Sequence, residues 1–488
     1  MSDQQPLPPT PAPALDLKNI QGDILSGLPK KTETFYFFEI TDVTGFRTNL
    51  RDFVPVIKTV AQTLKDREAI DKHKKESGHG GHKPPTIPLV GVNIAFSHLG
   101  FAKLGIDDTK LVDTAFLSGQ RQDAQTLGDK GTLDGDKFVP DWDAPFKQDI
   151  HGVFVVAGDS HVTVDRKVQL IEQRFKVGTP TASISKIVSI VGDVRPGDQD
   201  GHEHFGYLDG VSNPAIIGFD KNPPPGPAPV RPGVLLLGQD GDEDKDGRDP
   251  WMADGSFLVF RQLFQNVPEF DEFVNTNRLQ LPGLSAKEGA DLFGARLVGR
   301  WKSGAPIDLT PFFDDPELAD DPLRNNNFHF TAERDFQKLC PFAAHIRKTL
   351  PRADLEDLGF SIENRRIARR GIQFGPELTR AEKQQKKTLL GRGLLFVSYQ
   401  SSIVNGFQFI QQSWANNANF PFGEQTPETP GLDPIIGQSG DAPRGLMSGV
   451  NPNTPATTVD LKDVWVIPRG GEYFFSPSIK ALRETIAL

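Results

Sequence analysis

Two spacings of apolar residues alternate along the chain. TFYFFEI (34–40) has the length and bulk of a buried strand. GFRTNLRDFVPVIKTVAQTL (45–64) repeats apolar residues at helical spacing, with a break expected at Pro55. VGVNIAFS (90–97) and HGVFVVAG (151–158) read as strands, VTVDRKVQLIEQRF (162–175) as an amphipathic helix, and ISKIVSIVGDVR (184–195) as a strand. The order then recurs. GSFLVFRQL (255–263) is strand-like and VPEFDEFVNTN (267–277) helical. RIARRGIQFG (366–375) and GLLFVSYQS (393–401) are strand-like, NGFQFIQQSWANN (405–417) helical, and VWVIPRGGEYFFSP (464–477) a strand pair.

Each half reads strand, helix, strands, helix, strand. That order predicts an α+β fold of two ferredoxin-like layers, antiparallel sheets with helices on one face, stacked as a pseudo-repeat. The expected divisions are a Pro-rich tail (1–16), an N-terminal layer (17–220), a Pro-rich and acidic linker (221–254) and a C-terminal layer (255–488). KNPPPGPAPVRPG (221–233) sets the linker, because proline removes donors and fixes φ. Residues 72–86, charged and Gly-rich, read as a loop, as does a stretch from about 418 to 460.

Composition narrows the function. The 488 residues carry 54 Lys and Arg against 64 Asp and Glu, a net charge of −10 that disfavours nucleic acid as a partner. One cysteine, Cys340, excludes a disulfide framework and a thiolate metal cluster. No apolar run approaches about 20 residues, so no membrane span is expected. The first residues, MSDQQPLPPTPAPA, lack the basic and apolar regions of a signal peptide. Three Met, 1 Cys, 4 Tyr and 5 Trp stand against 35 Phe. Either composition drifted, or the protein works beside an oxidant that would attack thioethers and thiols first.

Several motifs are weak. Asp242, Asp244, Asp246 and Gly247 match half of a calcium loop, but Ala253 stands where its bidentate Glu belongs, which favours a solvated acidic loop. GHGGH (78–82) reads as a flexible loop. Walker, G-x-S-x-G and H-E-x-x-H signatures are absent.

Three segments carry more. In GHEHFGYLDGVSNPAI (201–216), Gly206 and Gly210 flank Asp209. Such a turn either pushes one carboxylate into a confined site or simply caps a chain reversal. In CPFAAHIRKTLPR (340–352), His345 is either a core residue or an axial ligand of haem iron. In IARRGIQFG (367–375), alternation sends one of Arg369 and Arg370 inward, where it needs an anion or a cofactor, unless the strand is a solvated edge.

Taken in order, NIQGDIL (19–25), GYLDG (206–210), HIRKTLPR (345–352), RRGIQFG (369–375) and GLLFVSYQ (393–400) resemble the dye-decolorizing peroxidases, and the long inserts resemble their fungal branch. The resemblance spans residues from about 19 to 480. It implies a haem peroxidase with one haem b in the C-terminal layer. Hydrogen peroxide would be its oxidant, and dyes, phenols and other aromatic reductants would be oxidised in one-electron steps through a ferryl intermediate.

By position, the resemblance makes His345 the axial ligand, Asp209 the distal acid and base, and Arg369 rather than Arg370 the distal arginine. Leu394 and Phe396 would shape the distal pocket. Arg347 would pair with a haem propionate, and Asp433 would accept the second imidazole N–H of His345. Trp414 is the candidate surface electron relay, Phe374 stands where some relatives carry Tyr, and Tyr399 is a weaker alternative. His202 and His204 have no catalytic role in the pattern. The resemblance implies an extracellular protein, and the acidic surface leaves Mn(II) open as a reductant. The rival reading is a haem-handling protein with little turnover, against which the Asp209 and Arg369 pair speaks. A plain α+β scaffold would hold no cofactor.

Overall fold

The computed structural model describes residues 14–77, 86–333, 336–421 and 429–488. GHGGH (78–82) and most of the Pro-rich tail lie outside the described residues.

Nine strands form the main sheet: β1 (Thr32–Ile40), β2 (Val90–Phe96), β3 (Gly152–Gly158), β4 (Ile184–Asp193), β5 (Ser256–Gln265), β6 (Ala368–Arg369), β7 (Ile372–Phe374), β8 (Gly393–Gln400) and β9 (Val466–Ser476). All neighbours are antiparallel, in the order β4-β1-β3-β2-β9-β5-β8-β6, with β7 also on β8. Each half places its strands in the ferredoxin-like order 4-1-3-2. The Phe96–Phe475 pair joins the halves, so the two expected layers share one continuous sheet.

The alternation along β1 shows how the layers stack. Phe35 and Phe37 face the second half, with ring centroids 4.9 Å from Phe260 in both cases. Tyr36 and Phe38 face the helices, and Phe38 stacks on Phe46 of α1 (Val43–Phe53) at 6.0 Å. Both faces are buried, which is why the run is apolar throughout rather than alternating. Each aromatic pair adds about 0.5–1.5 kcal/mol beyond its buried area.

Pro55 does end α1, through a short 3₁₀ turn (Val54–Val56). The next helix, α2 (Val60–Ser77), runs into the charged stretch expected to be loop from residue 72. α3 (His161–Arg174), α4 (Val267–Thr276) and α5 (Ala286–Val298) follow. The segment 405–417 is helical with wide π turns over Val404–Gln408 and Ile410–Ala415. Part of the expected linker is interior: Val234, Leu235 and Leu236 pack between the two halves of the sheet, since a proline-rich entry does not stop the apolar run behind it from burying. The acidic loop closes on itself, with Arg248 donating to Asp242 Oδ1 at 2.8 Å and Oδ2 at 2.6 Å.

Candidate active site

The hairpin at 201–210 is closed by backbone bonds from Asp209 N to Gly201 O (3.0 Å) and from Glu203 N to Tyr207 O (3.0 Å). Gly206 and Gly210 adopt φ +92° and +77°, which a Cβ would strain. The turn presents Asp209 to a cavity of about 270 Å³. Across a strand pair, Arg369 lies opposite Ser398 of β8 and turns its guanidinium into the same cavity. Arg369 Nη1 donates to Asp209 Oδ1 at 2.5 Å, and its backbone N–H donates to Asn213 Oδ1 at 2.8 Å.

Pleating sorts the neighbours as alternation predicts. Arg370 turns the other way and donates to the carbonyls of Asp23 (3.1 Å) and Leu25 (2.5 Å). On β8, Leu394 and Phe396 line the cavity, while Leu395 and Val397 enter the core between the two halves of the sheet. Burial alone would raise the pKa of Asp209. The charge of Arg369, its hydrogen bond and the Gly210 N–H (2.6 Å) outweigh that and hold the carboxyl below its usual range.

His345 begins the short helix α6 (His345–Thr349) and lines the same cavity. Its Nδ1 lies 2.8 Å from Asp433 Oδ2, a fully buried carboxylate. Asp433 Oδ1 accepts from the N–H groups of Ile435 (2.8 Å) and Ile436 (3.0 Å). Burial would raise the Asp433 pKa, but the charge and hydrogen bond of His345, with these two N–H groups, bring it below the usual value. An ionised Asp433 needs a donor at Nδ1, so the imidazole keeps a proton there and Nε2 is the nitrogen left to bind a metal.

Two expected positions need correction. Arg347 does not reach the cavity. Its guanidinium is fully buried against Asp354 (2.7 and 2.6 Å) and the carbonyls of Glu333 and Cys340, which it needs because an unpaired charge there would be costly. Trp414 is 3% exposed rather than at the surface, stacked on Phe420 at 5.4 Å and edge-on to Phe409 at 5.5 Å. Trp414→Ala is therefore expected to destabilise the fold by about 3–5 kcal/mol, read by urea unfolding. Tyr399 and Phe374 are core residues, and His204 donates its Nε2 proton to Phe374 O at 2.9 Å, a structural bond.

Residues not singled out from the sequence complete the lining. Arg300, Arg352, Arg365 and Arg366 all border the cavity, and among the described residues none of the four forms an ion pair with a carboxylate. Arg300 and Arg352 share Asn326 Oδ1 (3.0 and 2.7 Å). Arg365 lies 3.8 Å over the Phe409 ring. The Arg366 guanidinium makes no hydrogen bond among the described residues, and burial lowers its pKa to about 10. The signal lay in ENRRIARR (363–370), whose first arginine pair counts as much as its second.

Residues 19–196 match the family model described as "DyP dimeric alpha+beta barrel domain", and residues 204–420 match "Dyp-type peroxidase, C-terminal". The chain belongs to the DyP-type peroxidases. It is 46% identical to a dye-decolorizing peroxidase of Mycena epipterygia, over 97% of this chain and 88% of that one. A structure of a variant of the dye-decolorizing peroxidase from Pleurotus ostreatus superposes with a TM-score of 0.93 at 56% identity, covering 98% and 100% of the two chains. A dye-decolorizing peroxidase in complex with 2,6-dimethoxyphenol gives 0.85 at 44% identity, covering 97% and 100%.

DyP-type peroxidases are haem enzymes, and this chain's cavity fits that group. Haem is a flat apolar ring with one axial position for a neutral imidazole and two anionic propionates. The cavity offers one histidine whose Nε2 is not engaged by Asp433, apolar walls from Leu394, Phe396, Ile410 and Ile435, and four arginines that form no ion pair with a carboxylate among the described residues. Arg347 lies outside this lining, so the arginines that would face the propionates are drawn from these four.

Proposed function

We propose that this DyP-type peroxidase carries one haem b on His345 and uses hydrogen peroxide to oxidise dyes, phenols and other aromatic reductants. The observation that carries the reading is the Asp209–Arg369 pair, 2.5 Å apart, in the cavity that also holds His345. Mere haem storage has no need of that pair. When bound, haem supplies the iron that receives peroxide and the oxidising equivalents passed to substrates.

The chain's own groups handle protons and charge. Asp209, held ionised, takes a proton from one peroxide oxygen and returns it to the other, so that water leaves. General acid–base help of this kind is worth typically about 10²–10⁴-fold. Arg369 offsets negative charge on the departing oxygen. Asp433 fixes the His345 ring and makes its Nε2 a stronger donor. Leu394 and Phe396 narrow the distal space, which favours hydrogen peroxide over bulky reductants there.

Among the described residues, no group of three or more His, Cys, Asp or Glu side chains is arranged to hold a metal ion. Likeness to fungal relatives supports an extracellular location. Among the described residues, no helix is long and apolar enough to cross a membrane.

The test is the visible spectrum of the purified protein before and after equimolar hydrogen peroxide. A Soret band that shifts within seconds is the expected result. A Soret band that stays put would favour haem handling, and none after haem addition would remove His345 as a ligand.

A further inference from the structure

Glu203 lies six residues before Asp209, borders the same cavity, and has no part in the chemistry above. Its carboxylate is unusually well occupied. Oε1 accepts the Tyr207 N–H at 2.8 Å, and Oε2 accepts the Phe205 N–H at 2.8 Å together with the Gln265 side-chain amide at 2.5 Å. Its own carbonyl accepts from Gly206 N (2.8 Å) and from Arg195 Nη1 (2.6 Å). One carboxylate thus closes the hairpin from inside and ties it to β5, the strand that carries Gln265.

We propose that Glu203 is the positioning residue for Asp209. The inference deepens the peroxidase reading and rests on it. The chain from Tyr207 to Asp209 is otherwise held by Glu203 N on Tyr207 O (3.0 Å), Leu208 N on Lys302 O (3.2 Å), Asp209 N on Gly201 O (3.0 Å) and the Arg369 contact to the Asp209 side chain, and Gly210 beyond it is exposed. Releasing the Tyr207 and Phe205 amides frees the side of the hairpin that Glu203 anchors. Proton transfer tolerates little of this, since a displacement of about 1 Å can cost about 10²-fold in rate.

Only a carboxylate fills the role. It has acceptors on both oxygens for three donors, whereas a glutamine must turn its own NH₂ toward at least one N–H. Burial, and then the charge of Asp209, raise the Glu203 pKa, so the arrangement keeps a second carboxylate beside the first at an electrostatic cost. Gln265 adds to this cost, because its Oε1 is buried without a hydrogen bond. Groups held at such a cost fit a site that needs a fixed geometry.

The experiment compares wild type, Glu203→Gln and Gln265→Leu as holoenzymes. Hydrogen exchange over residues 203–210 reads the loop directly and needs no turnover. Equilibrium cyanide affinity, read from the Soret band, reports the distal base, because hydrogen cyanide binds as the anion while its proton stays on that base. Steady-state kinetics then separate peroxide from phenol.

For Glu203→Gln, exchange at Phe205 and Tyr207 is expected to rise about tenfold. Cyanide affinity and kcat/KM for peroxide should fall about 10²-fold, with kcat/KM for the phenol unchanged. Gln265→Leu removes one donor and should raise exchange about threefold, which keeps the test alive if the first variant folds poorly. Unchanged exchange in both variants overturns the proposal. So does raised exchange with wild-type cyanide affinity and peroxide kinetics, which would make the bonds merely structural. A wild type that takes up no haem would sink the peroxidase reading instead, and the exchange data would still decide whether Glu203 holds the loop.

Discussion

Asp209→Asn will lower kcat/KM for hydrogen peroxide by about 10²–10⁴-fold while leaving the Soret band in place. Asparagine keeps the size of the side chain and can still accept the hydrogen bond that Arg369 donates at 2.5 Å. It cannot take a proton from peroxide. What remains is the charge of Arg369, which stabilises the departing oxygen but moves no proton.

The pH profile makes this sharper. The folded pKa of Asp209 lies below its ordinary 3.8, because Arg369 and the Gly210 N–H more than offset burial. The carboxylate therefore persists as pH falls past 3.8, and the peroxide step should weaken only below that value. The variant should lose this acid limb along with most of its rate. Stopped-flow mixing with peroxide across pH 2.5–7 would check both. A variant within tenfold of wild type would show that Arg369 suffices and that the proton leaves by another route.

Much of this arrangement was legible before the fold was known, for local reasons. Strands whose two faces are both buried read as unbroken apolar runs, so TFYFFEI and HGVFVVAG stood out. Alternation told that Arg369 and Arg370 must part, and Gly206 and Gly210 marked the turn that delivers Asp209. The pairing of His345 with Asp433, 88 residues apart, followed from the resemblance and is met at 2.8 Å.

The failures share a cause. Arg347 and Trp414 were placed by the resemblance, and side-chain packing within their own segments, which leaves no periodic pattern, decides where they point. Arg347 meets Glu333, Cys340 and Asp354 through the folding-back of its own segment, and Trp414 is buried by Phe409 and by Phe420 beyond it. Glu203 and Gln265 were hidden because their contact is long-range. A carboxylate that accepts from two backbone N–H groups and from a strand 62 residues away leaves no periodic trace.

Asp433→Asn is expected to weaken haem binding by about 10–100-fold, although residue 433 touches no cofactor. Asparagine can keep one oxygen for the Ile435 and Ile436 N–H groups, but its NH₂ then faces His345 Nδ1. Two donors cannot share that line. Either the contact breaks and the ring is free to turn, or the imidazole proton moves to Nε2 and removes the lone pair that iron needs. Haem titration into the apoprotein, followed at the Soret band, reads the loss.

Stability adds an independent check with a definite sign. The folded pKa of Asp433 is lowered from 3.8, so its ionised form stabilises the fold. That stabilisation is fully present above the unfolded pKa and is lost as pH falls through the folded one. Wild type should therefore exceed the variant in urea unfolding by a constant margin at neutral pH, and the margin should shrink below pH 3.8. A variant that binds haem like wild type and shows no such margin would mean that Asp433 neither sets the His345 tautomer nor owes its low pKa to that partner.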